Sequence, residues 1–155
     1  MGDTYTIKTA KSKAAKYCAY QERTQQEVRD KLYKWGLYGD EVEEVIVFLI
    51  SENFVNEERY AIAYALGHFK QNKWGKLKIK AGLKQKHISD YCINKGLKEI
   101  KLDMYEEVIQ QLLVKKYEQQ SGDTAFVRKN KSVRYLLQKG FEQSLVWEHA
   151  NLLFE

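Results

Sequence analysis

The chain has 155 residues, 44% of them apolar and 13% aromatic, which is enough for one ordinary domain or a few small stacked modules and excludes a disordered protein. Its formal charge of +5 favours an acidic partner, and the charge is local, with −5 on residues 21–69 and +7 on residues 70–86. Cys18 and Cys92 lie 74 positions apart, a spacing that fits neither a zinc site nor a disulfide framework, so both read as small buried residues in a reducing compartment.

Residues 1–13 are polar and basic, and a flexible N-terminus is expected there. They hold no apolar stretch of signal-peptide length, and no run approaches the roughly 18 apolar residues of a membrane helix. A cytoplasmic protein with no membrane contact is therefore expected. A short helix follows over residues 14–22. Thr24 with Glu27 three positions on is a capping box, Val28, Leu32 and Trp35 form one helical stripe, and Gly36 supplies a left-handed stop. Asp40 with Glu43 repeats the cap, and Val42, Val45, Ile46 and Leu49 repeat the stripe.

Asn56 caps the next helix, which carries Tyr60, Ala61, Tyr64, Ala65 and Phe69. After a break over residues 71–75 comes a helix rich in lysine whose apolar stripe is thin, Ile79 and Leu83 with Gly82 between them. Ser89 caps a short helix through Ile93 that ends at Gly96, and Asp103 with Glu106 opens the longest helix, carrying Tyr105, Val108, Ile109, Leu112 and Leu113. Residues 121–123 form a loop. Val133, Leu136 and Leu137 mark a helix stopped at Gly140, and Val146, Ala150 and Leu153 mark the last one. With no proline and no useful strand alternation, the fold class is all-α.

The stops repeat. Leu32 precedes Gly36, Leu83 precedes His87 and Leu136 precedes Gly140 by four positions each, and the leucines are 51 and 53 residues apart. The pattern predicts three tandem three-helix repeats, helix-turn-helix-like modules over residues 14–52, 56–102 and 103–155, packed end to end into an elongated curved body.

Seven lysines and no carboxylate lie between Lys70 and Lys86. One lysine on a helix is ordinarily solvated surface; seven without a counter-charge point to an anionic partner, carboxylate or phosphate, bound in a salt-dependent way. The candidate contacts are Arg59, Lys70, Lys73, Lys76, Lys78, Lys80 and Lys84, with Trp74 in the break beside them. In the third module they are Arg128, Lys129, Lys131 and Arg134. Direct binding to single- or double-stranded DNA is the alternative, and without arginines on the lysine helix to read base edges it would be largely non-specific.

No catalytic constellation stands out. His68, His87 and His149 have no metal-ligand spacing and read as surface or capping residues, and there is neither a glycine-rich phosphate loop nor a nucleophile motif. No enzyme activity, metal or cofactor is expected. Glu27, Asp40, Glu43, Glu57 and Glu106 fall in the first turns of helices, where the dipole accounts for them. Trp35 and Trp147 sit at helical spacing among apolar residues and read as core.

Three segments carry a family resemblance: FVNEERYA at 54–61, KWGKLKIKAGL at 73–83 and VRYLLQKGF at 133–141. In this order and spacing, across residues 14–155, the chain resembles the RecX family, regulators of the RecA recombinase. It departs from the family pattern at His87, where glycine is usual, and at Asn56-Glu57, where an Asp-Asp pair is usual. The resemblance implies a monomeric protein that binds the active RecA filament in its helical groove and limits strand exchange and ATP hydrolysis in DNA recombination, repair and the SOS response. It implies action by contact, without a cofactor.

Overall fold

The computed structural model describes residues 5–154, which form nine α-helices and no strand. These are α1 (Ile7–Tyr20), α2 (Gln25–Lys34), α3 (Asp40–Ser51), α4 (Glu57–Asn72), α5 (Lys76–Gln85), α6 (Asp90–Lys98), α7 (Leu102–Glu118), α8 (Ala125–Gln138) and α9 (Gln143–Leu153). Every helix pair in substantial contact lies within α1–α3, α4–α6 or α7–α9, so the chain is three tandem three-helix modules.

The repeated stop is a repeated backbone motif. Gly36, His87 and Gly140 adopt left-handed φ values of 89°, 61° and 95°. The amides that follow reach back to the leucines of the preceding turn: Leu37 to Leu32 O at 3.1 Å, Ile88 to Leu83 O at 3.2 Å and Phe141 to Leu136 O at 3.2 Å. His87 holds this conformation with a Cβ, a strain of about 1 kcal/mol that glycine avoids. The Thr24–Glu27 capping box is formed in both directions, and the Asn56 side chain accepts from the Arg59 amide.

Several expectations need correction. The segment 1–13 is not a flexible arm throughout: α1 begins at Ile7, with the Thr6 side chain accepting from the Thr9 amide, while residues 1–4 lie outside the described residues. Ala10, Ala14 and Cys18 form its buried stripe, and small side chains there let α1 lie close on α3. The lysines that disguised the stripe run out over aromatic rings, Lys11 over Phe48 and Lys13 over Tyr5. Gly39, not Asp40, is the N-cap of α3. Gly96 does not end α6; it is buried within it, and a Cβ there would stand 2.6 Å from Ala61 O, so glycine permits the close approach of α6 to α4. Leu153 is exposed rather than core.

The buried side chains form two cores. One belongs to the first module and includes Ala14, Val28, Leu32, Val45 and Leu49. The other runs without interruption through the second and third, from Tyr60 and Phe69 through Leu83 and Tyr105 to Phe141 and Val146. A three-helix unit buries little surface alone, and the last two modules resolve this by sharing one core.

Candidate partner-binding face

The lysine face begins where α4 ends. Lys73 takes the left-handed C-cap conformation with φ 56°, Trp74 and Gly75 turn the chain, and α5 leaves with Ile79 and Leu83 fully buried beneath it. That two-residue anchor leaves most of the remaining positions exposed. Lys70, Lys78, Lys80 and Lys84 are exposed; Lys73, Lys76 and Lys86 are half-buried. Among the described residues none of the seven forms an ion pair with a carboxylate. Their arrangement opposes the helix: Lys76 occupies its first position, no acidic residue lies in its first turn, and Lys76, Lys80 and Lys84 repeat like charge at four-residue spacing. Each such pair costs about 0.2–0.5 kcal/mol. Within the folded chain the ammonium groups meet only rings and a carbonyl, Lys76 over Tyr105, Lys78 over Trp74 and Lys73 on Lys70 O, and no carboxylate among the described residues.

Three of the amides at the start of α5 are already occupied. Gly75 N donates to Lys139 O at 2.8 Å, Lys76 N to the Tyr105 hydroxyl at 3.0 Å and Leu77 N to Gly140 O at 2.9 Å. An anion at this helix start would find these donors taken, so contact falls to the lysine side chains.

Trp74 is not an open platform. It is half-buried, its ring stacks on His68 at 4.0 Å and 10°, Tyr64 meets it edge-on at 6.4 Å, and Lys78 Nζ lies 4.6 Å from its centre. His68, expected at the surface or in a cap, is the middle of this stack, with Asn72 Nδ2 2.8 Å from its Nδ1. Burial, and then the charges of Lys78 and Lys86, hold its imidazole below the ordinary histidine range, so it packs as the neutral ring.

The other candidates fall in different places. Arg59 faces the first module: its Nε donates to Glu22 Oε2 at 2.6 Å, and its guanidinium also reaches Asn53 O and Phe54 O, so its charge is used inside the chain. Arg128 lies over the Tyr117 ring at 3.9 Å and donates to Tyr117 O, and Lys131 pairs with Asp123 at 3.1 Å. Lys129 is half-buried and Arg134 exposed, both without an ion pair among the described residues. The α8 helix as a whole carries four cations and no carboxylate.

Sequence reasoning missed the polar groups that act across helices. Glu106 is not in the first turn of α7, where Asp103 is the one acidic residue; it lies 3.0 Å from Nε2 of the buried His149, whose Nδ1 faces Gln110 at 3.1 Å, tying α7 to α9. Tyr105 is core by burial, yet its hydroxyl accepts from Lys76 N and donates to Glu142. Burial first, and then Glu142, push its phenol well above the ordinary tyrosine range. A tyrosine on a stripe of Val, Ile and Leu was the available signal. Among the described residues no group of three or more His, Cys, Asp or Glu side chains could hold a metal ion, and no helix is long and apolar enough to cross a membrane.

Models of the first, second and third three-helix domains of RecX match residues 10–49, 56–97 and 103–149 in order. A regulatory protein RecX from Streptococcus uberis is 30% identical over 136 residues, which cover 88% of this chain and 52% of that protein. One from Clostridium acetobutylicum is 31% identical over 150 residues, covering 94% and 69%. The crystal structure of RecX from Lactobacillus salivarius matches with a TM-score of 0.87 at 28% identity, over 95% of this chain and 96% of that one. A second RecX crystal structure, with a TM-score of 0.77 at 23% identity, shares the fold. The chain spans about half the length of the Streptococcus uberis and Bacillus mycoides relatives, 52% of each.

Proposed function

The chain belongs to the RecX family of regulatory proteins, and from that premise we propose that it binds the active RecA filament and limits its strand exchange and ATP hydrolysis. The observation that carries this reading is the lysine face itself, seven cations on the end of α4 and on α5 without an internal counter-charge. Such a face suits carboxylates or phosphates that line a helical polymer. Three modules in tandem provide a surface long enough to meet several subunits, so that weak ionic contacts add through multivalency and fall with salt. Lys70, Lys78, Lys80 and Lys84 are the leading contacts because all four are exposed. The protein acts by contact rather than by chemistry.

The cations of α8 favour a second reading, direct binding to DNA and competition for the strand. Titrating the protein into RecA hydrolysing ATP on single-stranded DNA, beside a DNA-binding assay without RecA at the same salt, separates the two. Inhibition well below the concentration that binds bare DNA supports the filament as target; inhibition only where free DNA is coated supports competition. Replacing Lys73, Lys76, Lys78 and Lys80 with Glu is expected to leave the melting temperature within a few degrees and to raise the inhibitory concentration at least about tenfold. Unchanged inhibition would move the contact away from α5.

A further inference from the structure

The start of α5 is the anomaly in this fold. Thr6, Thr24, Asn56, Ser89 and Thr124 each cap their own helix by accepting from a first-turn amide. The N-cap of α5 is Gly75, which has no side chain, and the helix opens on Lys76 and Lys78 with no acidic residue in its first turn. No other described helix combines a missing side-chain cap with a lysine at its first position. The positive end of a helix dipole beside two ammonium groups and uncapped donors is a start that frays in isolation.

We infer that Tyr105 and Glu142, both in the third module, are positioning residues for the lysine face of the second. They supply across the joint what Gly75 cannot supply locally. The Tyr105 hydroxyl accepts from Lys76 N at 3.0 Å, taking the role of a capping oxygen, and donates its own proton to Glu142. Through that relay a carboxylate acts on the positive end of α5, where a first-turn Asp or Glu would ordinarily serve. The Tyr105 ring also lies 4.9 Å from Lys76 Nζ, so one side chain holds both the backbone and the charge of the first lysine of the helix. The neighbouring amides of Gly75 and Leu77 end on Lys139 O and Gly140 O, and a Cβ at residue 75 would stand 2.2 Å from Gly140 C, so the glycine that leaves the helix uncapped is the glycine that lets the third module reach it. The lysine face is thereby assembled by a module that carries none of its seven lysines.

The capping stands on geometry alone; its consequence for filament contact rests on the function proposed above. Hydrogen exchange of the full chain tests the first part, and inhibition of RecA ATP hydrolysis tests the second. Tyr105→Phe keeps the ring and removes the hydroxyl, and the amides of residues 76–80 are expected to exchange about tenfold faster while those of the first module are unchanged. Adding Leu77→Glu, which puts a carboxylate at the exposed second position of α5, is expected to restore most of the protection. Glu142→Gln, which keeps an acceptor for the phenol and removes the charge, is expected to give a smaller acceleration at the same amides and serves as the reading if Tyr105→Phe does not fold. Unchanged exchange at residues 76–80, or acceleration spread evenly over α7–α9 with no rescue by Leu77→Glu, overturns the inference. Accelerated and rescued exchange with unaltered inhibition leaves the inference standing and removes α5 from the filament contact.

Discussion

The two joints between modules are built from opposite materials. Between the second and third modules the join is core: Phe69, Tyr105 and Phe141 pack ring to ring at 5.7 and 5.2 Å, and Gly75 lies against the backbone of Gly140 and Phe141. Between the first and second it is polar, with Glu22 on Arg59, Glu57 Oε2 accepting from Gln25 N at 3.1 Å, and separate apolar cores on either side. Apolar burial scales with area and is not screened by salt, whereas partly exposed ion pairs contribute little and are screened. The last two modules are therefore one cooperative body that carries the lysine face, and the first module is held to it by replaceable contacts.

Breaking the shared core gives the largest effect. Leu83→Asp puts a carboxylate at a position with no exposed surface, at a cost of more than about 4 kcal/mol. Circular dichroism is expected to show loss of helix in the second and third modules together, while hydrogen exchange still finds the first module folded. Melting unchanged from the parent protein would reject the placement of Leu83, and loss of the second module alone would reject the shared core.

Gly75→Ala strikes the apolar joint without adding a charge. Its Cβ would meet backbone rather than a mobile side chain, so the modules must part, at about 2 kcal/mol. The expected signature is a lower melting temperature with faster exchange at residues 75–77 and 139–141. A melting temperature equal to that of the parent would show that the joint yields freely.

The polar joint gives the smallest effect. Glu22→Gln weakens an ion pair whose members are 29% and 39% exposed, and about 1 kcal/mol or less is expected. Global melting should barely move, while small-angle scattering should show a larger radius of gyration, with the parent protein approaching the same value as salt is raised. A compact, salt-independent parent would mean that the first joint is as firm as the second.

What could be read from the sequence was local. Thr24 and Glu27 stand three residues apart, and Leu32, Leu83 and Leu136 precede their stops by four, so the groups that cap or close a helix are neighbours along the chain. The stripe of Val28 and Leu32 announced its buried face in the same way. The α1 start was obscured because a stripe of Ala10, Ala14 and Cys18 carries little hydrophobic contrast against lysines. Arg59 and Trp74 looked like partner contacts by residue type, yet one is taken by Glu22 and the other by His68.

By itself the sequence determined an all-helical chain, its threefold repetition and a concentration of positive charge at the end of α4 and on α5, because capping, periodicity and net charge act over a few residues. Tertiary structure alone decided that the second and third modules share a core while the first is tied on by an ion pair and a hydrogen bond, that Gly75 and Gly96 mark close approaches, and that Tyr105 and Glu142 hold the start of α5. The hydrogen bonds of Tyr105 and Arg59 join residues 29 to 37 positions apart, and whether a tyrosine hydroxyl or an arginine finds its partner depends on where packing places a second helix rather than on the residues beside it.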